Sequence, residues 1–198
     1  MKAAIVDYGA GNLSSVEKAL KHVGLETRRA TTPGELDGAS AIVLPGVGHF
    51  NATATLAPWR AAILAHLERG RPLLGICLGL QWLFEGSAEA PDVPGLGLLR
   101  GRCFRLEGDV KVPHVGWNTI EPTRESRLLQ GIGRAQVYFT HSFAAPVTAE
   151  SVAVTTHGVP FASVVECGPA FAAQWHPEKS GEIGIRLLRN FREVMQSC

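Results

Sequence analysis

An apolar run, Pro72-Leu73-Leu74, leads without a linker into Gly75-Ile76-Cys77-Leu78-Gly79 and then into Leu80-Gln81-Trp82-Leu83-Phe84. The pattern reads as a strand, a sharp turn and a helix over residues 78–84. Glycines on both sides relieve the crowding of such a turn, since neither carries a Cβ. A strand handed directly to a helix is half of a βα unit, and the preceding residues repeat the rhythm. Residues 2–7 form a short buried-type strand. Residues 12–23 form an amphipathic helix with Leu13, Val16, Leu20 and Val23 on one face and Gly24 ending it. Residues 26–29 are a weak strand, Ala41–Leu44 a strong one, 58–68 a helix with Pro58 in its first turn, and 72–75 the strand before the elbow. This order predicts an α/β fold: a mostly parallel central sheet with helices on both faces.

After the elbow the character changes. Residues 86–101 are rich in glycine and proline and read as a surface excursion. Short strands then follow closely at 103–106, 137–140, 152–155, 162–166 and 171–174, with hairpin turns at Gly158-Val159-Pro160 and Gly168-Pro169. They predict an antiparallel extension in the C-terminal half, closed by an amphipathic helix over 182–195. At 198 residues, with no repeat, low-complexity tract or internal linker, residues 1–198 are expected to form one domain. A chain of this length buries about 70% of its unfolded surface and needs no staples.

A net charge of +1 with 19% charged residues gives no electrostatic case for nucleic acid or an anionic membrane as partner. The four cysteines, Cys77, Cys103, Cys167 and Cys198, form no CxxC pair and have no histidine pair at zinc-binding spacing. A metal site or disulfide framework is therefore not expected, and the chain is placed in the reducing cytoplasm. No signal-peptide pattern opens it, and no apolar run reaches membrane-spanning length.

The elbow cysteine proposes chemistry. Cys77 at a helix N-terminus meets backbone N–H groups and the positive dipole end, which favour thiolate over thiol. Most cysteines that follow an apolar strand are small core residues, so a base and an oxyanion site are needed. Gln174-Trp175-His176-Pro177-Glu178 supplies the base. Pro177 holds His176 extended, and residues two apart on an extended segment face one side. Glu178 thus reaches one imidazole nitrogen while the other faces a thiol, the logic of a catalytic triad. For the oxyanion, one donor is the Leu78 N–H. The other comes from the loop Pro45-Gly46-Val47-Gly48 (Gly46, Val47 or Gly48) at the C-terminal edge of the Ala41–Leu44 strand, where open α/β sheets bind ligands.

Together Gly75-Ile76-Cys77-Leu78-Gly79-Leu80-Gln81 and His176-Pro177-Glu178 resemble the signatures of triad-type (class I) glutamine amidotransferases. Asp7-Tyr8-Gly9-Ala10-Gly11-Asn12-Leu13, Pro45-Gly46-Val47-Gly48-His49-Phe50, Pro113-His114-Val115-Gly116-Trp117-Asn118, Tyr138-Phe139-Thr140-His141-Ser142 and His176-Pro177-Glu178-Lys179-Ser180 narrow the resemblance to the glutaminase subunits of imidazole glycerol phosphate synthases. It runs from Asp7 to Ser180.

The resemblance implies that Cys77 attacks the glutamine side-chain amide, His176 protonates the leaving ammonia, Glu178 orients His176, and water hydrolyses a glutamyl thioester. Gln81, Glu89 and the His141-Ser142-Phe143 segment fall where the family binds glutamine, with Glu89 suited to the α-ammonium and 141–143 to the α-carboxylate. The implied partner is a TIM-barrel cyclase subunit in a heterodimer. It uses the ammonia to make imidazole glycerol phosphate and aminoimidazole carboxamide ribotide in histidine biosynthesis. Asn12, Trp117, Tyr138 and Lys179 match positions near that interface, and no cofactor or metal is implied. Trp175, Thr140 and Phe143 depart from the commoner phenylalanine, valine and tyrosine, which touches packing or fine substrate contacts rather than the triad. Two alternatives stand beside this reading. One is the glutaminase of another synthase, such as that for pyridoxal phosphate, against which the Asp7-Tyr8-Gly9 and Pro113–Asn118 segments argue. The other is a silent scaffold on the same fold, which fold alone does not exclude.

Overall fold

The computed structural model describes residues 1–197; Cys198 lies outside the described residues. In chain order its elements are β1 (Lys2–Val6), α1 (Leu13–His22), β2 (Glu26–Ala30), β3 (Ala41–Leu44), α2 (Arg60–Glu68), β4 (Leu73–Ile76) and α3 (Leu78–Trp82). There follow β5 (Gly86–Ser87), β6 (Ala90–Pro94), β7 (Arg102–Arg105), β8 (His114–Pro122), β9 (Ala135–His141), β10 (Phe143–Ala144), β11 (Ser151–His157), β12 (Val159–Cys167), β13 (Ala170–Ala173) and α4 (Gly181–Gln196).

Nine strands form one sheet in the order β2-β1-β3-β4-β13-β12-β11-β8-β9. From β2 to β13 the neighbours run parallel; from β13 to β9 they run antiparallel. The parallel half is buried on both faces, and successive residues of one strand serve opposite cores. Ala3 and Ile5 of β1 join Val16 and Leu20 of α1 and Leu187 and Phe191 of α4. Ala4 and Val6 join Leu56, Trp59, Ile63 and Phe84 on the other side. Each such buried branched or aromatic side chain contributes roughly 1.5–3 kcal/mol. Asn12 begins α1 as its cap, its side chain accepting from Ser15 N at 3.3 Å.

The structure departs from the sequence reading in four places. Residues 86–101 are not a plain surface excursion. They build β5 and β6 of a second, four-stranded sheet, β10-β7-β5-β6, and fold Leu96 and Leu99 into the core, with Gly97 N and Leu98 N bonding the carbonyls of Phe84 and Leu83. The helix after the elbow is shorter than 78–84, because α3 ends at Trp82 where those carbonyls turn to the returning chain. The helix expected over 58–68 begins at Arg60, and Pro58 lies in a 3-10 segment, Phe50–Trp59, that leads into it. The long strand β8 was absent from the sequence reading. Its first half is inverted in polarity: His114 points inward while Val115 and Trp117 face solvent, 58% and 56% exposed, and only Ile120 further on is an apolar residue turned to the core.

Candidate active site

The parallel pair β4 and β13 sets Ile76 opposite Ala173, so the residues that follow, Cys77 and Gln174, emerge side by side at the C-terminal edge of the sheet. Cys77 N donates to Ala173 O at 2.7 Å, and Cys77 O accepts from Leu80 N and Gln81 N at 2.9 and 3.1 Å. Bonded on both sides, Cys77 is held at φ 53°, ψ −105°, and among the described residues no other non-glycine has a positive φ. That conformation costs on the order of 1–3 kcal/mol and persists only where the surroundings over-determine it. The elbow also needs its glycines, since a Cβ at Gly79 would overlap the Leu44 carbonyl and one at Gly75 would press on the Gly79 backbone.

His176 and Glu178 follow from the end of β13. Their side chains are 1% and 2% exposed and meet at 2.8 Å, Nδ1 to Oε1. A carboxylate only accepts, so Nδ1 carries a proton, and Nε2 is buried with no hydrogen-bond partner. Burial alone would lower the imidazole pKa; the adjacent Cys77 sulfur and the hydrogen-bonded Glu178 carboxylate outweigh it and raise the value to about 10. The ring is thus held in its proton-donating form beside the sulfur. Ser180 ties this loop to β9, donating to His176 O at 2.7 Å and accepting from Tyr138 N at 3.0 Å.

The loop Pro45–Gly48 reaches the elbow in a particular orientation. Leu78 N, the first expected oxyanion donor, gives its hydrogen to the Gly46 carbonyl at 3.3 Å. In this conformation the loop presents an oxygen where an oxyanion would need N–H groups. Gly46 is packed so closely that a Cβ there would collide with the Tyr8 hydroxyl and the Leu78 side chain. Val47 and Gly48 are exposed. Tyr8, buried with its hydroxyl unpartnered, has its ionisation suppressed by burial and by Cys77.

Of the residues expected to meet glutamine, Gln81 is buried, its amide nitrogen bonded to Phe143 O at 2.7 Å and to Gln174 Oε1 at 3.2 Å. Glu89 is half-buried and accepts from Phe50 N at 2.7 Å, which joins the β5–β6 turn to the far end of the Pro45–Gly48 loop. Ser142 O accepts from Leu106 N at 2.9 Å, and Phe143 pairs with Arg105. His141 is buried, its Nδ1 bonded to Phe143 O at 2.9 Å and its Nε2 to His114 Nδ1 at 3.1 Å. Asn118 Nδ2 reaches the other nitrogen of His114 at 3.2 Å. Burial, with a smaller push from His157, lowers His114 to about 4; burial, opposed by the Phe143 carbonyl bond, lowers His141 to about 3. Sequence reasoning assigned no role to Gln174 or His114. Gln174 stands two residues before His176, and that spacing on an extended chain was the available signal.

Three of the four expected interface residues form one surface cluster. The Trp117 and Tyr138 rings lie edge to face at 6.3 Å, and Lys179 Nζ stands 5.5 Å from the Tyr138 ring centre. Asn12 is exposed at the start of α1. Among the described residues no group of three or more His, Cys, Asp or Glu side chains could hold a metal ion. No helix there is long and apolar enough to cross a membrane.

Residues 4–194 match the family model of class-I glutamine amidotransferases. The chain is 47% identical to the imidazole glycerol phosphate synthase subunit HisH of Thermococcus kodakarensis, covering 96% of this chain and 99% of that protein. It is 44% identical to the subunit of the same name from Methanothermobacter thermautotrophicus, covering 98% and 99%. Among solved structures, PurLQS from Thermotoga maritima has the same fold, with a TM-score of 0.78 at 21% identity over 97% of both chains. A crystal structure of a glutamine amidotransferase aligns with a TM-score of 0.76 at 22% identity over 98% of both. The chain belongs to the class-I glutamine amidotransferases, within the HisH subunits of imidazole glycerol phosphate synthase.

Proposed function

We propose that residues 1–198 act as a single glutaminase domain that supplies ammonia to the cyclase subunit of imidazole glycerol phosphate synthase, in the cytoplasm, for histidine biosynthesis. The observation that carries the chemistry is the buried line Cys77–His176–Glu178 at a strained elbow, with the 2.8 Å bond fixing the imidazole. Cys77 Sγ attacks the side-chain carbonyl carbon of glutamine, and the π electrons move to oxygen. The oxyanion is met by the Leu78 N–H and by an N–H of the Gly46-Val47-Gly48 loop once that loop has turned. His176 gives its Nε2 proton to the departing ammonia, and Glu178 keeps the ring aimed and charged. Water then attacks the thioester and gives a proton to the now neutral His176, the C–S bond breaks with its electron pair returning to sulfur, and glutamate leaves. Gln81, Glu89 and the 141–143 backbone are the substrate contacts in this reading. The Glu89 bond to Phe50 N supports a link between substrate seating and the oxyanion loop.

Ammonia would pass to a TIM-barrel cyclase in a one-to-one heterodimer. The exposed Trp117 with Tyr138 and Lys179 beside it supports that face as the docking surface, since aromatic residues are enriched at interface centres, and Asn12 is included in it. The free thiols of Cys103 and Cys167 fit a reducing compartment. The test is Cys77→Ala with the partner present. Glutamine-dependent synthesis should vanish while synthesis from added ammonium salt persists. Survival of the glutamine-dependent reaction would sink the nucleophile assignment.

A further inference from the structure

A single backbone carbonyl sets the direction of a line of hydrogen bonds that ends on the sulfur. Phe143 O receives Gln81 Nε2 at 2.7 Å. A carbonyl can only accept, so the Gln81 group facing it is the NH2 end. The second hydrogen of that NH2 goes to Gln174 Oε1 at 3.2 Å. With its oxygen committed there, Gln174 turns its own NH2 to Cys77 Sγ, 3.5 Å away. Reversing Gln174 would set two NH2 groups against each other and an amide oxygen against the sulfur. Gln174 has no other freedom: it is fully buried, its N–H is bonded to Ser163 O on β12 at 3.0 Å, and its neighbour in sequence but one, His176, is bonded through N to Tyr138 O at 3.0 Å.

We propose that Gln174 is a catalytic residue whose side-chain amide donates a hydrogen bond to the Cys77 sulfur, and that Gln81, anchored on the Phe143 carbonyl, is the positioning residue that aims it. This rests on the reading of Cys77 as the nucleophile. A donor at that distance favours charge on sulfur. It acts before attack, when the C–S bond has not formed, and again when water has added to the thioester and the C–S electron pair returns to sulfur. Gln174 keeps its proton throughout; the transferred protons belong to His176 and water. The groups that otherwise bear on the sulfur are His176, backed by Glu178, from the loop after β13, and Tyr8 from the end of β1. Phe143 also belongs to the segment read as the α-carboxylate site, so substrate seating and the aim of the amide share one carbonyl.

The test is a pH titration of thiolate absorbance on the full chain, taken as the difference from the same background carrying Cys77→Ala, so that the other three cysteines cancel. Gln174→Met should move the midpoint upward by about one pH unit, about tenfold less thiolate at a fixed lower pH, as loss of a hydrogen bond to a charged acceptor requires. Gln81→Met, which leaves Gln174 present but unaimed, should move it the same way by less. If Gln174→Met does not fold, the Gln81→Met shift carries the test. A midpoint that stays at the wild-type pH in the variants that fold overturns the proposal, including where glutaminase activity is lost, because packing alone would then explain the loss. Full glutamine-dependent activity in Cys77→Ala, read in a separate assay, would overturn the nucleophile assignment and the proposal with it.

Discussion

At the scale of single residues, the site depends on a buried imidazole that its neighbours keep protonated and on a glycine packed against backbone. His176 has its pKa raised to about 10 because Cys77 and Glu178 together outweigh the cost of burying its charge. Glu178→Gln removes one of those two causes. The ring then loses its proton at lower pH, so the alkaline limb of the glutaminase rate profile should move to lower pH. The maximal rate should fall by about 100-fold or more, the range for a general acid that is misaligned. A profile with an unmoved alkaline limb would show that Glu178 does not control the ring. Gly79 is the second sensitive point. Gly79→Ala pushes a Cβ into the Leu44 carbonyl, and overpacking against backbone costs about 1–3 kcal/mol or more. A lower urea midpoint is expected, and a midpoint equal to wild type would contradict the closeness of that approach. Cys77, His176 and Glu178 could be picked out from the chain because each stands in a local pattern whose backbone consequence is general: glycines around a turn, and proline after an extended histidine. His114 could not, because its role depends on a partner 27 positions away, and for Gln174 the spacing to His176 marks the facing side but not its bond to Cys77, 97 positions away.

At the scale of elements, the parallel half of the sheet was legible because double-sided burial writes itself as short apolar runs, as in Ala41–Leu44. Strand β8 was not, since its outward residues are Val115 and Trp117 and its inward ones include His114. A strand with Ile120 as its one inward branched apolar residue and Val115 and Trp117 outside has no core-facing alternation to read, and that inversion fits the docking surface proposed above. Its inward histidine is part of a neutral chain, Asn118–His114–His141–Phe143 O, which ties β8 and β9 to the active-site segment. His114 and His141 are lowered to about 4 and about 3, against about 6.5 in an unfolded chain. The unfolded state therefore takes up protons first. The stability this neutrality confers is complete above about pH 6.5, is lost progressively as pH falls below that, by on the order of 2 kcal/mol per histidine at pH 5, and the loss levels off only below the folded values of about 4 and about 3. Urea midpoints should drop between pH 7 and pH 5, and His114→Gln should drop less. An equally steep fall in His114→Gln would assign the acid sensitivity to other groups.

At the scale of the whole molecule, Cys77, His176 and Glu178 are assembled at the sheet edge while the Gly46 carbonyl occupies the Leu78 N–H. The sequence placed Pro45–Gly48 at the oxyanion site, and its glycines permit a peptide to rotate at low steric cost; which way it faces is decided by its contacts with Tyr8 and the elbow, and these join distant parts of the chain. Rotation would free one donor and bring a second, and each oxyanion donor is worth on the order of 100- to 1000-fold in rate. In the proposed complex, the exposed Trp117–Tyr138–Lys179 cluster and the Glu89 tie to Phe50 would give a docking cyclase two routes to favour the rotated loop. The decisive measurement is the rate of glutamate release by the chain alone and by the chain bound to the cyclase subunit carrying its nucleotide ligand. A rise of at least about 100-fold in the complex is expected; comparable turnover in the two states would contradict a resting site closed by Gly46.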